Sequence, residues 1–366
     1  MNIKILKCYK RVLKIKELQK NYGFFIVSFS VFCYFITLFI FIIKSNSNYK
    51  KEIKNIIWAL KFNEFPFNKN HITTNPYPKV NRKKTFFVKK KDKNKIRNNS
   101  RHTLLINKDK IYKKFRDIKK KKFDTHNLIL TKKILKRKEF EFNSLNYEEV
   151  LKIDNRNYCQ YYYYLLKYYH PLSFSFASYN DYNIQIIKKF LFFFSFSLDF
   201  TINALFFTDE TIHKIYQDKG KYNFLYQIPQ ILYSTFIGKF IDTLIKNLAL
   251  SQDLIIELKQ IKIKKNLERK HKKLLRMLNI KFSSFFILSF IILIFCWYYI
   301  ACFCGIYINT QIHLIKDAII SLLTSLLIPF ILYLIPGIFR NLSMSIKKNS
   351  YKCTYKFSIF LENYLC

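Results

Sequence analysis

The sequence predicts an all-α membrane protein, a helical transmembrane bundle with a largely disordered, basic N-terminal half. Three observations carry that expectation. Half of the 366 residues are apolar and 19% are aromatic, and they gather into blocks instead of spreading along the chain. Several blocks reach the roughly 20 residues that a helix needs to cross about 30 Å of hydrocarbon. The formal charge of +41 sits mainly between the blocks, where lysine meets anionic headgroups or other polyanions. A soluble nucleic-acid binder would share the charge without the blocks. No RRM, KH or zinc motif accompanies the lysine runs, so anionic lipid is the favoured partner and nucleic acid is not. The Lys, Asn, Ile, Phe and Tyr bias, with five Gly and seven Pro, is that of an AT-rich genome, so part of the charge carries no function.

Residues 1–23 form a basic flank, and "FFIVSFSVFCYFITLFIFII" (24–43) follows as an anchor or signal-like segment. Its apolar run exceeds the usual signal core, which favours an uncleaved anchor. The region 44–146 contains "NRKKTFFVKKKDKNKIRNN" and "KKFRDIKKKKFD", with no repeating apolar pattern, and reads as disordered with short helices. From Tyr147 the texture turns to tyrosine, "YCQYYYYLLKYYHPLSFSF", which predicts an interfacial helix with its rings at the bilayer surface. A hairpin is expected from 190–207 and 228–250, the second conditional because of its charges. A charged helical linker follows at 252–281, then a transmembrane hairpin within 282–339 (spans 282–304 and 318–339) and a basic tail at 340–366.

The outer ends of the last hairpin are basic, which puts both in the cytosol by the positive-inside rule. Run backwards, that assignment makes 44–189 cytosolic and leaves the basic N-terminus outside, against its own charge. A first block or a 228–250 segment that fails to span would remove the conflict.

The stretch 228–250, "IPQILYSTFIGKFIDTLIKNLAL", is long enough to cross a bilayer yet carries Lys239, Asp242 and Lys246. Together with Thr235 they recur at intervals of four, three and four, which places them on one helical face. Ser195, Asp199 and Asn203 recur every four residues in the preceding block. In an antiparallel hairpin Asp199 and Lys239 fall at similar depth, so the two stripes are expected to face each other. A charge at the bilayer centre costs about 2.5–3.5 kcal/mol on insertion scales, and a facing partner removes much of that. Three readings stay open: a polar pathway for an ion, proton or small solute; a hydrogen-bonded lock between two helices; or a surface helix with snorkelling lysines.

Pro329 and Pro336, followed by Gly337, predict a kink in the last helix. His213 with Asp209, Glu210 and Asp218 has loose metal-ligand spacing, for which a solvated loop is the commoner explanation. The eight cysteines match neither a zinc site nor a C-x-x-C pair; Cys8, Cys353 and Cys366 lie near membrane ends as candidate palmitoylation positions. Asn98 and Asn341 begin Asn-x-Ser sequons. No phosphate loop, G-x-S-x-G elbow or H-E-x-x-H helix is present, so neither a catalytic set nor a cofactor is expected.

At "HPLSFSFASYNDYN", "LDFTINALFFTDETIHKIYQDKGKYNFLYQIPQILYST" and "IHLIKDAIISLLTSLLIPFILYLIPGIFR" the chain resembles a group of multi-pass membrane proteins of protists, of apicomplexan, Plasmodium-like composition. The resemblance covers about residues 155–340. It implies an integral membrane protein and no particular activity, and the R-x-L-x-E/Q/D export signal is missing after the first block. A non-enzymatic scaffold or assembly component, with a protein partner or a second copy, is the expected role. An ion or small-solute transporter using an Asp/Lys pair is the alternative.

Overall fold

Asn21 shows how the bundle is tied together. Its Oδ1 caps helix α1 (Tyr22–Ile40) by accepting from Phe24 N at 2.9 Å, while its Nδ2 donates to Ala301 O at 2.8 Å, deep in another helix. The computed structural model describes residues 3–8, 18–62, 130–131, 133–179, 181–217, 221, 224–260, 267–346 and 352–365. It is mostly helical over these, with no strand among the described residues. The chain divides into two compact units, 1–53 with 137–366, and 54–136. Most of the second unit, and with it the disorder expected of 44–146, lies outside the described residues.

A π turn (Phe41–Ser45) carries α1 into α2 (Asn46–Phe62), so the first part of the expected disordered region is helix. After a 3-10 turn (Glu139–Ser144) come three short helices, α3 (Tyr147–Ile153), α4 (Tyr158–Tyr169) and α5 (Pro171–Phe176). Then follow α6 (Gln185–Phe206), α7 (Asp209–Gln217), α8 (Phe224–Ala249) and α9 (Gln252–Gln260). The last four are α10 (Leu267–Ile306), α11 (Gln311–Leu332), α12 (Leu334–Ile346) and α13 (Lys352–Leu365). Among the described residues four helices are long and apolar enough to cross a membrane: Tyr22–Lys61, Gln185–Phe206, Leu267–Ile306 and Gln311–Ser345. Helix α8 is not in that set, but its polar side chains meet those of α6.

Side-chain pairs fix the directions. Ser28 with Trp297, Tyr34 with Phe286 and Phe41 with Phe282 make α1 antiparallel to α10. Phe190 meets Phe285 and Phe207 meets Phe303, so α6 runs with α10. Gln230 with Asp317 and Thr235 with Ser321 make α8 parallel to α11. One end of the bundle therefore holds the start of α1 and the α6–α7 and α10–α11 connections. There Gln311 accepts from Tyr22 N at 3.1 Å and donates to Lys20 O at 2.9 Å. The other, lysine-rich end holds the basic first part of α10, and there Lys281 Nζ reaches Leu250 O at 2.9 Å, while the basic flank before α1 lies at the first end.

Three of the expected segments take a more definite form. Within the expected linker 252–281 the described residues are α9 (Gln252–Gln260) and, from Leu267, the first part of a continuous 40-residue α10, about 60 Å long at 1.5 Å per residue. Leu267, Leu274 and Leu278 are buried along that part while Arg269, Lys270, Lys272, Lys273 and Arg276 are exposed, so its amphipathic face extends the helix past the apolar run. The basic tail contains α13, packed on α12, with Tyr355 and Glu362 buried. The span 318–339 is interrupted at Tyr333, between α11 and α12. Pro329 lies inside α11 and has no N–H for its own turn, and Pro336 stands in the first turn of α12, where a missing N–H costs least. The expected kink lies there.

Candidate functional site

The α6–α8 seam is built from residues that face each other one turn at a time. Ser195 Oγ donates to Asp242 Oδ1, and Ser234 Oγ donates to Asn203 Oδ1 at 2.6 Å. Between those two rungs, Asp199 Oδ1 lies against Gly238, in the space a Cβ would fill. Each pair moves four residues up one helix and four down the other, as an antiparallel crossing requires. At the far end Gln230 Nε2 donates to Asn203 O at 3.3 Å and to Asp317 Oδ2 at 3.5 Å, and Thr235 meets Ser321 at 3.3 Å, which brings α11 into the seam.

The two stripes do meet, but turned by one residue from the expected pairing. Gln230, Ile231, Ser234, Gly238, Asp242, Ile245 and Ala249 are buried in α8, while Lys239 is exposed. Gly238, not Lys239, is the residue set against Asp199. A helix turns 100° per residue, so an offset of one carries Lys239 from the seam to its rim. Asp242 is the charged residue brought in, 6% exposed, and Lys246 Nζ pairs with its Oδ2 at 2.8 Å from the next turn. The outward face of α8 is apolar (Leu232, Tyr233, Phe236, Phe240 and Leu244 are exposed), the reverse of a helix lying in water.

Two groups in the seam stand apart. Asp199 is half-buried, and among the described residues its carboxylate takes no hydrogen bond or ion pair. Asn203 is wholly buried, and its Nδ2 has no partner.

A second constellation, which the sequence did not reveal, occupies the lysine-rich end. Asp154 is held by Arg156 through Nε at 2.8 Å and Nη2 at 2.7 Å, and by Arg340 Nη2 at 2.5 Å. Burial alone would raise the Asp154 carboxyl, but the two guanidinium groups outweigh it and hold it down at about 2. Glu362, 1% exposed, accepts from Tyr161 at 2.7 Å, Tyr169 at 2.9 Å and Asn143 at 2.6 Å. The Arg340 guanidinium lies 4.5 Å from the Tyr161 ring and that of Arg156 lies 4.6 Å from Tyr164. Burial pushes the Tyr161, Tyr164 and Tyr169 phenols well above their ordinary value, so they stay neutral hydroxyls.

The tyrosine run is divided between core and surface: Tyr161 and Tyr164 are core residues around buried ions, and Tyr163 is exposed. A third group links distant chain in the same layer, with Lys259 Nζ on Glu141 Oε1 at 2.5 Å and on Tyr182 OH at 3.0 Å.

No metal chemistry is assembled. Asp209 accepts from Tyr307 OH at 3.0 Å at the start of α7, Asp218 lies outside the described residues, and no group of three or more His, Cys, Asp or Glu among the described residues is placed to hold a metal ion. Cys353 is exposed on α13, as is Cys159 on α4; nothing further is described of Cys366. Comparison with protein-family models, with curated proteins and with solved structures finds no match for this chain.

Proposed function

We propose that the chain is a multi-pass integral membrane protein that acts as a non-enzymatic scaffold or assembly component, held to anionic headgroups by its Lys/Arg clusters. One observation carries the reading: the layer at the lysine-rich end is joined by buried ion pairs drawn from residues 139–183, 252–260 and 334–365. A fixed layer of this kind, beside the exposed basic face of α10, suits the holding of a surface or a partner better than a reaction. Each arginine near a lipid surface adds about 1 kcal/mol of attraction to an anionic leaflet.

The test is the replacement of Arg269, Lys270, Lys272, Lys273 and Arg276 by Gln in the full chain. The expected result is retained folding with loss of co-purifying anionic lipid and of cross-linked partners. Unchanged lipid and partner recovery would sink the proposal.

A second reading, passage of an ion or small solute along the α6–α8 seam, is favoured by the carboxylate of Asp199. It requires flux in proteoliposomes that Asp199→Asn abolishes. The scaffold reading expects no such flux.

A further inference from the structure

Asp199 lies well inside α6 (Gln185–Phe206), with Ser195 one turn before it and Asn203 one turn after. Its neighbours on both sides are engaged. Asp242 has a hydroxyl on one oxygen and an ammonium on the other, from Ser195 and Lys246. Ser234 is committed to Asn203 and to Ile231 O. Gly238 offers Asp199 Oδ1 close approach to the α8 backbone but no donor side chain. The charged and histidine side chains on the helices packed against α6 are few. Helices α1 and α5 and the stretch 282–306 of α10 carry none, and their titratable groups are tyrosine and cysteine. Helix α11 brings His313, Lys316 and Asp317, of which Asp317 meets Gln230, and α8 brings Lys239, Asp242 and Lys246.

We propose that Asp199 is a proton-binding site, carried neutral within the α6–α8 seam while Asp242 stays ionised against Lys246. The geometry supports it: the carboxyl lies well inside α6 against the α8 backbone at Gly238, with no hydrogen bond or ion pair among the described residues. A carboxyl that gains a proton becomes a donor as well as an acceptor, whereas an unpaired carboxylate at membrane depth has nothing to offset its lost hydration. The ligand is a proton because the seam offers no cage of oxygens: the carboxylate oxygens of Asp242, the nearest on α8, are already taken by Ser195 and Lys246. The inference goes beyond the scaffold reading and rests only on α6 lying in a bilayer.

The experiment uses the full chain in lipid nanodiscs and dicyclohexylcarbodiimide, an apolar reagent that adds to protonated carboxyls, with peptide mapping of the adduct. The expected result is an adduct on Asp199 that falls several-fold as pH rises, because the reagent adds only to the protonated carboxyl. Asp242 stays unmodified in that protein and becomes modified in Lys246→Met. Asp199→Asn loses the adduct while an Asn203→Cys/Ser234→Cys disulfide still forms, which separates a lost site from a lost fold.

Absence of the adduct on Asp199 at every pH, or its suppression by sodium at fixed pH, overturns the proton assignment. Modification of Asp199 by a water-soluble carbodiimide alone overturns the membrane placement beneath it, a different failure.

Discussion

Asp154 is the residue on which the layer at the lysine-rich end turns. It is 4% exposed and shared by two guanidinium groups from positions 156 and 340. Removing one partner of a buried ion pair costs about 3–5 kcal/mol, because the other charge is left without compensation. Asp154→Asn is therefore expected to lower stability by about that amount in detergent unfolding, and Arg340→Met by a similar amount. The pH dependence has a definite sign. The folded carboxyl titrates at about 2, below its ordinary 3.8, so its stabilisation is complete above the ordinary value and is lost as pH falls from there through about 2. An acid melt of the wild type and of Asp154→Asn checks this: the gap between them narrows across that window.

Gly23 is a second residue with a sharp expectation. A Cβ there would lie 2.5 Å from Cys304 Sγ and 2.6 Å from Ile300 Cγ2. Gly23→Leu should therefore weaken the α1–α10 contact by at least the 1–3 kcal/mol or so typical of overpacking, read as a fall in melting temperature.

At the scale of elements, the sequence showed which helices exist better than where their faces point. The apolar blocks 24–43, 190–207, 282–304 and 318–339 each fall within a helix long enough to span, since length and composition alone set that. The spacing of Thr235, Lys239, Asp242 and Lys246 identified a polar stripe, but spacing fixes a face only to within one residue's rotation. What settled the rotation is Gly238, whose missing side chain lets Asp199 approach the backbone, and a glycine leaves no mark in a periodicity.

The buried part of the tyrosine run was not legible for another reason. Tyr161 is buried by Arg340 and Glu362, which lie about 180 and 200 positions away, and no local pattern reports such partners. The α10 extension was hidden because its charges outnumber its apolar residues, although Leu267, Leu274 and Leu278 keep a helical period.

At the scale of the whole molecule, the antiparallel register keeps the charge conflict that the sequence posed, with the basic flank before α1 and the basic face of α10 at opposite ends. Helix α1 runs opposite to α10, and α8 runs opposite to α6, so neither conditional segment drops out of the bundle. The start of α1 and the α6–α7 connection share one end, and the basic face of α10 lies at the other. With that basic end in the cytosol, a glycosylation sequon inserted at residue 221 is expected to be occupied, and Asn341 to remain unmodified. The reverse pattern would invert the orientation without changing the fold.

The account depends most on α8 crossing beside α6 with its polar face turned in. The most direct test is disulfide formation in membranes between paired cysteines in a background lacking native ones. The pairs Ser195→Cys/Asp242→Cys and Asn203→Cys/Ser234→Cys are predicted to cross-link. A cysteine at 239 is predicted to show no cross-link to one at 203. Failure of both rung pairs, with single cysteines at 234 and 242 freely modified by an impermeant thiol reagent, would place α8 on the surface and contradict the seam.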